Sequence, residues 1–132
     1  MCLIKYVVAV HGHLGIIDTT ILIGRHSYKV AAVHNVCVLP QYRGKGFVSK
    51  IMHAAMKEAS CRNYDFGMLF CKKHIACIYE KAGWNFLPEN TVKCLMNDGS
   101  VGTIGADEEF MFYPLKVEVL PAGEIDLCGR PW

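Results

Sequence analysis

Apolar positions in the first forty residues fall into three runs, each rich in β-branched side chains and separated by short polar stretches. Leu3 to Val10 breaks at His11-Gly12-His13, Leu14 to Gly24 resumes the pattern, Gly24 to Tyr28 turns again, and Lys29 to Val38 forms the third run. Such runs with short connections predict an antiparallel meander. Pro40 ends it, because proline donates no ladder hydrogen bond. From Phe47 to Cys61 the period changes. Phe47, Val48, Ile51, Met52, Ala55, Met56 and Ala59 recur at spacings of three and four, with Lys50, His53, Lys57 and Glu58 opposite, which predicts an amphipathic helix. A turn over residues 63–67 leads to a short apolar strand from Phe66 to Cys71, then a helical stretch from His74 to Lys81 capped by Gly83. Strand pieces are expected at Trp84 to Leu87 and Thr91 to Met96, a polar loop from Asn97 to Glu109, and a last strand from Phe110 to Val119 ending near Pro121. Strand, loop, helix, strand in that order implies a parallel pair joined by a crossover.

The chemistry concentrates where the third strand meets the helix. Val38-Leu39-Pro40-Gln41-Tyr42-Arg43-Gly44-Lys45-Gly46 follows an apolar strand and opens a helix, the form of a phosphate cradle. Gly44 and Gly46 remove side chains where backbone approaches a ligand, and the free N–H groups of the next helix turn point at an anion with the helix dipole behind them. Arg43 and Lys45 add positive charge there. Gly-x-Gly alone describes many ordinary turns; its place between strand and helix gives it weight. His34 lies on the third strand, on the alternate expected to include Ala32, Val36 and Val38. His11, His13 and His26 fall in or beside turns and are expected to be solvated.

Gln41-Tyr42-Arg43-Gly44-Lys45-Gly46 resembles the Gln/Arg-x-x-Gly-x-Gly/Ala signature of the Gcn5-related N-acetyltransferase (GNAT) superfamily, and Ile78-Tyr79-Glu80-Lys81-Ala82-Gly83-Trp84 is similar to the segment that ends the following helix in that family. The resemblance covers about residues 3–115 and implies an α/β GNAT fold with a mixed sheet: an antiparallel meander followed by a splayed parallel pair, with helices on both faces. It begins at the family's second strand, an N-terminally shortened form. That start implies an acceptor side that is open, or closed by a partner subunit in a homo-oligomer, or closed by the C-terminal tail. The implied co-substrate is acetyl-CoA, held by Gln41, Tyr42, Arg43, Gly44, Lys45, Gly46 and Phe47, with strand contacts from Val36, Cys37 and Val38. His74 stands where the family often has Asn. Tyr79 is the implied acid for the departing thiolate, since a phenol with a pKa of about 10 is protonated at neutral pH. His34 replaces the glutamate that often acts as base. The final stretch, Asp126 to Trp132, is similar to the tail of aminoglycoside 2′-N-acetyltransferases and implies Trp132 as a substrate-binding residue. The resulting expectation is an N-acetyltransferase that moves acetyl to a primary amine, a small cationic amine or aminosugar, by direct attack. The alternative is a catalytically impaired coenzyme A-binding sensor or interaction module.

The chain of 132 residues, 52% apolar, fits a single domain over 1–132. A net charge of +2 with scattered basic residues gives no footprint for nucleic acid, and neither a Walker loop nor a Rossmann fingerprint is present. Seven dispersed cysteines without a Cys-x-x-Cys pair read as free thiols in a reducing cytosol. His74, Cys77 and Cys71 cluster in sequence but lack the second pair a zinc site needs, so no metal is expected. The apolar start contains Lys5, lacks a cleavage site and is too short to span a membrane, which places the protein in the cytoplasm with no membrane partner.

Overall fold

The computed structural model describes residues 3–9, 12–87, 92–103, 108–129 and 132. The elements are β1 (Leu3–Ala9), β2 (Gly12–Ile23), β3 (His26–Val38), α1 (Phe47–Cys61), β4 (Phe66–Lys72), α2 (Ala76–Lys81), β5 (Asn85–Phe86), β6 (Val92–Leu95), β7 (Val101–Thr103), β8 (Glu108–Pro114) and β9 (Ile125–Asp126). They form one mixed sheet in the order β5-β8-β4-β3-β2-β9-β6-β7, with β1 alongside β2. The first three strands make the expected antiparallel meander, and α1 has the bounds its period predicted.

Several boundaries differ from the sequence pattern. His11 lies outside the described residues, but Gly12 and His13 open β2 and pair with Val38 and Cys37 instead of forming a turn. A Cβ on Gly12 would sit 2.3 Å from the Cys37 carbonyl oxygen, so glycine serves a close strand approach there. β7 lies inside the segment expected to be a loop, and β9 joins the edge of β2 through Leu22 and Ile23. The last long strand runs from Glu108 to Pro114, earlier than expected, because the chain then leaves the sheet: the Val117 N–H donates to the Asp65 carbonyl and Val119 is exposed.

The parallel pair decides where a ligand fits. β3 and β4 pair only through Val30–Phe66, Ala31–Gly67 and Ala32–Met68. At the closed end the Lys29 N–H donates to Asp65 Oδ2 and the Asp65 N–H to the Lys29 carbonyl, both 2.8 Å. Beyond Ala32 and Met68 the strands run on to Val38 and Lys72 with no ladder between them among the described residues. A splayed gap results, open toward the β3–α1 loop.

The two sheet faces carry separate cores. On one, Leu14, Ala31, Val33 and Leu69 pack against Ile51, Met52, Ala55 and Met56 of α1 and Ala76 of α2. On the other, Ile21, Val30, Phe66 and Met68 pack against Val92, Leu120, Ile125 and Leu127. Both α-helices thus contribute to the first cluster. The second face, where a helix was also expected, is covered by β6, β9 and the C-terminal segment, whose apolar residues bury it equally well.

β3 carries an inserted residue. His13 pairs with Cys37 and Gly15 with His34, two steps on β2 against three on β3, and Asn35 takes a left-handed φ of 52°. This bulge changes which residues share a face. Val36 and Val38 join Ala31 and Val33 in the first cluster, while the regular alternation up to residue 34 puts His34 with Val30 and Ala32 on the other face. The grouping of His34 with Val36 and Val38 is therefore corrected. Asn35→Val should lower stability by about 1–2 kcal/mol, because a β-branched residue resists the left-handed region, whereas Asn35→Gly should be nearly neutral; urea unfolding of both variants checks this.

Candidate functional site

The β3–α1 loop is built to expose backbone. Leu39 leaves the strand, Pro40–Tyr42 form a single 3-10 turn, and Arg43 to Gly46 complete the connection. Arg43 Nε donates to the Val38 carbonyl at 3.1 Å, tying the loop to the strand end. Gly44 and Gly46 have φ of 76° and 77°, and a Cβ at either would meet nothing within 4 Å. Their need for glycine is thus conformational, and the space beside them is open. Gly46 caps α1 without a side-chain hydrogen bond, and the first turn holds no acidic residue. No side-chain cap or acidic group therefore competes with an external acceptor at the helix start.

The helix start faces a cavity of about 520 Å³, within the size range of small-molecule sites. One wall is Val36, Cys37 and Val38 at the free end of β3; the loop supplies Tyr42, Arg43, Gly44 and Gly46, and α1 supplies Phe47, Val48 and Ser49. The far wall is Ile75, Ile78, Tyr79 and Lys81. Nine residues singled out from the sequence thus share one cavity. Five were missed. Val48 and Ser49 follow the loop directly, while Ile75, Ile78 and Lys81 lie within a turn of Tyr79, so helical spacing around the two motifs was the signal that could have found them.

The remaining candidates lie elsewhere. Gln41 and Lys45 are exposed on the loop, and His74 is exposed in the 3-10 turn before α2; none lines the cavity. His34, on the opposite face, leans over Gly15 of β2 and so points to the β2 side of its strand, away from the gap with β4. Trp132 packs against the second core cluster with its ring 5.4 Å from Phe70, which also meets Phe110 at 5.3 Å. His13 and His26 are exposed, as expected of solvated histidines, although both lie in strands.

Tyr79 combines access with a low-dielectric setting. Burial, and secondarily the nearby Cys71, raise its pKa above the ordinary 10.0, so the phenol carries its proton throughout the neutral range. Cys71 is pushed up to about 11, first by burial and then by Glu108 and Glu109. At neutral pH it is a thiol, poorly suited to nucleophilic attack. Arg43 and Lys81 bring positive charge to opposite walls. Among the described residues no group of three or more His, Cys, Asp or Glu is placed to hold a metal ion, and no helix is long and apolar enough to cross a membrane.

Residues 8–87, more than half the chain, match the family model described as an acetyltransferase (GNAT) domain. The chain belongs to the GNAT family. This GNAT chain is similar in fold to a GCN5-related N-acetyltransferase from Kribbella flavida, at 24% identity and a TM-score of 0.53, covering 58% of this chain and 19% of that one. It is also similar to the GNAT family N-acetyltransferase YhbS from Escherichia coli in complex with CoA, at 13% identity and a TM-score of 0.63, covering 89% and 60%. A GNAT acetyltransferase from Staphylococcus aureus Mu50 matches at 15% identity and a TM-score of 0.53, covering 80% and 60%. The matched region spans 60% or less of the length of each of these proteins, and at these identities the likeness concerns fold. No curated protein sequence gives a significant match.

Proposed function

We propose that this protein transfers the acetyl group of acetyl-CoA to a primary amine by direct attack. The observation that carries the reading is the cavity itself: a helix start without a side-chain cap, two open glycines and a splayed strand end converge on one space. The same fold binds CoA in YhbS. The loop residues Gln41 to Gly46, with Phe47, hold the pyrophosphate, Gly44 and Gly46 by leaving backbone exposed and Arg43 and Lys45 by charge. His74, one residue before the lining Ile75, reaches the pantetheine or pyrophosphate from outside the cavity. Val36, Cys37 and Val38 lie along the unpaired edge of β3, whose backbone N–H groups polarise the thioester carbonyl. Acetyl-CoA supplies the activated acetyl group. Tyr79 gives its proton to the sulfur as the carbon–sulfur bond breaks, and the amine nitrogen loses one proton as its new bond to the acetyl carbon forms. His34 accepts that proton.

His34 and Trp132 bear on the acceptor side. The pyrophosphate loop and both α-helices lie on one face of the sheet, so an amine meets the thioester carbon from the other face, where His34, Phe70 and Trp132 are found. Strands lie roughly 5 Å apart, so one or two waters, or a rotation of the imidazole, join His34 to the gap. A small cationic amine or aminosugar suits the aromatic faces of Phe70 and Trp132. Neighbouring acids contribute less to that preference, because Glu108 pairs with Lys72 at 2.6 Å and Asp126 accepts from the Cys128 N–H at 2.9 Å. We place the protein in the cytoplasm, with a homo-oligomer as one means of completing the acceptor side.

The lean of His34 toward β2 favours a second reading, a coenzyme A-binding module with little turnover. Release of CoA thiol in the presence of polyamines, aminosugars, neutral amines and acidic amino acids separates the two. Turnover with at least one amine, with the acetamide found by mass spectrometry, is expected. Tight acetyl-CoA binding with no turnover on any of them would establish the binding module instead.

A further inference from the structure

Gly15 lies inside β2, where neither a turn nor a left-handed φ calls for glycine. A glycine there weakens the strand, since it packs no side chain and loses more backbone entropy than any other residue. Its neighbours Leu14 and Ile16 direct their side chains into the cluster under α1. The Gly15 position therefore belongs to the other face, and directly across the ladder on that face stands His34. A Cβ built at Gly15 would lie 2.5 Å from His34 Nε2, 3.0 Å from Cδ2 and 3.1 Å from Cε1. Three ring atoms crowd the same point, so the imidazole lies over the glycine as over a floor. No larger residue fits beneath it without moving the ring. The inserted residue Asn35 comes immediately after His34, so the ring is held at the last regular ladder position before β3 changes phase.

We propose that Gly15 is a positioning residue for His34, its missing side chain forming the seat that fixes the imidazole on the acceptor face of the sheet, within reach of the gap through water. The functional half of this proposal rests on His34 acting as the proton acceptor; the structural half rests on the β2–β3 geometry alone. Gly15→Ala should displace the ring and shift the His34 imidazole resonances in NMR spectra. It should also lower kcat about tenfold or more, because small misplacements of reacting groups carry rate penalties of that order, while the KM for acetyl-CoA stays unchanged. In a His34→Ala background the same substitution should leave kcat unchanged and hold or raise the urea midpoint, since no ring remains to be moved and alanine suits a strand better than glycine. Unchanged kcat and unchanged His34 resonances in folded Gly15→Ala would overturn the proposal. If His34→Ala alone keeps the full rate, the proton-acceptor role falls, and the seat is decided by stability: destabilisation by Gly15→Ala only when His34 is present supports it, and equal destabilisation in both backgrounds overturns it. Should Gly15→Ala fail to fold, recovery of folding in the double variant supports the seat, and failure of both overturns it.

Discussion

Gly46→Asp is expected to lose acetyl-CoA binding and keep its fold. Gly46 has a φ of 77° and is the N-cap of α1. Aspartate is among the few residues that enter this left-handed region, so the helix should start as before at some cost in stability. The added Cβ meets nothing within 4 Å. What changes is charge: a carboxylate occupies the place where the pyrophosphate is proposed to sit, and like charges brought together at a binding interface cost several kcal/mol. An affinity loss of about 100-fold or more, roughly 3 kcal/mol, follows. Gly46→Asn is the control, with nearly the same size and conformational tolerance but no charge, and it should keep most of the affinity. Calorimetry on the two folded variants decides the point; equal affinities would move the pyrophosphate away from this helix start.

Tyr79→Phe should lower the rate of the chemical step by about 100-fold while leaving the acetyl-CoA dissociation constant nearly unchanged, the signature of a group that acts only as charge develops on sulfur. The ring is retained, so its packing beside the core under α1 and α2 survives. The sign of the pH effect follows from the environment. Burial, and then Cys71, raise the phenol pKa above 10.0, so the active, protonated form is complete at neutral pH. Activity dependent on it declines only above pH 10. Single-turnover rates from pH 6 to 11 should show that alkaline decline in the natural protein and none in the phenylalanine variant. A natural rate constant in Tyr79→Phe would leave the ring a packing role alone.

The elements that the sequence made legible are those set by local pattern. The 3.6-residue period over Phe47–Cys61 leaves one apolar stripe and one polar face, and a helix is the conformation that separates them. The loop was readable for a related reason. A strand, a proline, two glycines and a helix start within nine residues bring backbone donors together with little help from the rest of the chain. Tyr79 could be named because its segment resembles a family motif, and the structure brings it to the same cavity.

Tertiary structure decided what depends on which residues meet across strands. A one-residue insertion at Asn35 turns every later side chain of β3 to the opposite face, yet its effect is defined only against β2, about twenty residues earlier in the chain. The seat at Gly15 has no local signature, because its meaning comes entirely from His34 across the ladder. β9, two residues long, exists because Ile125 finds the edge of β2 and the second face needs apolar cover, a demand no sequence window around it contains. By itself, then, the sequence determined the helices, the meander and the donor-rich loop, since short-range periodicity and backbone freedom suffice for them. The width of the gap between β3 and β4, the face on which His34 lies and the packing of Trp132 on Phe70 were left to the fold, because each is a contact between segments far apart in the chain whose register only the packed sheet sets.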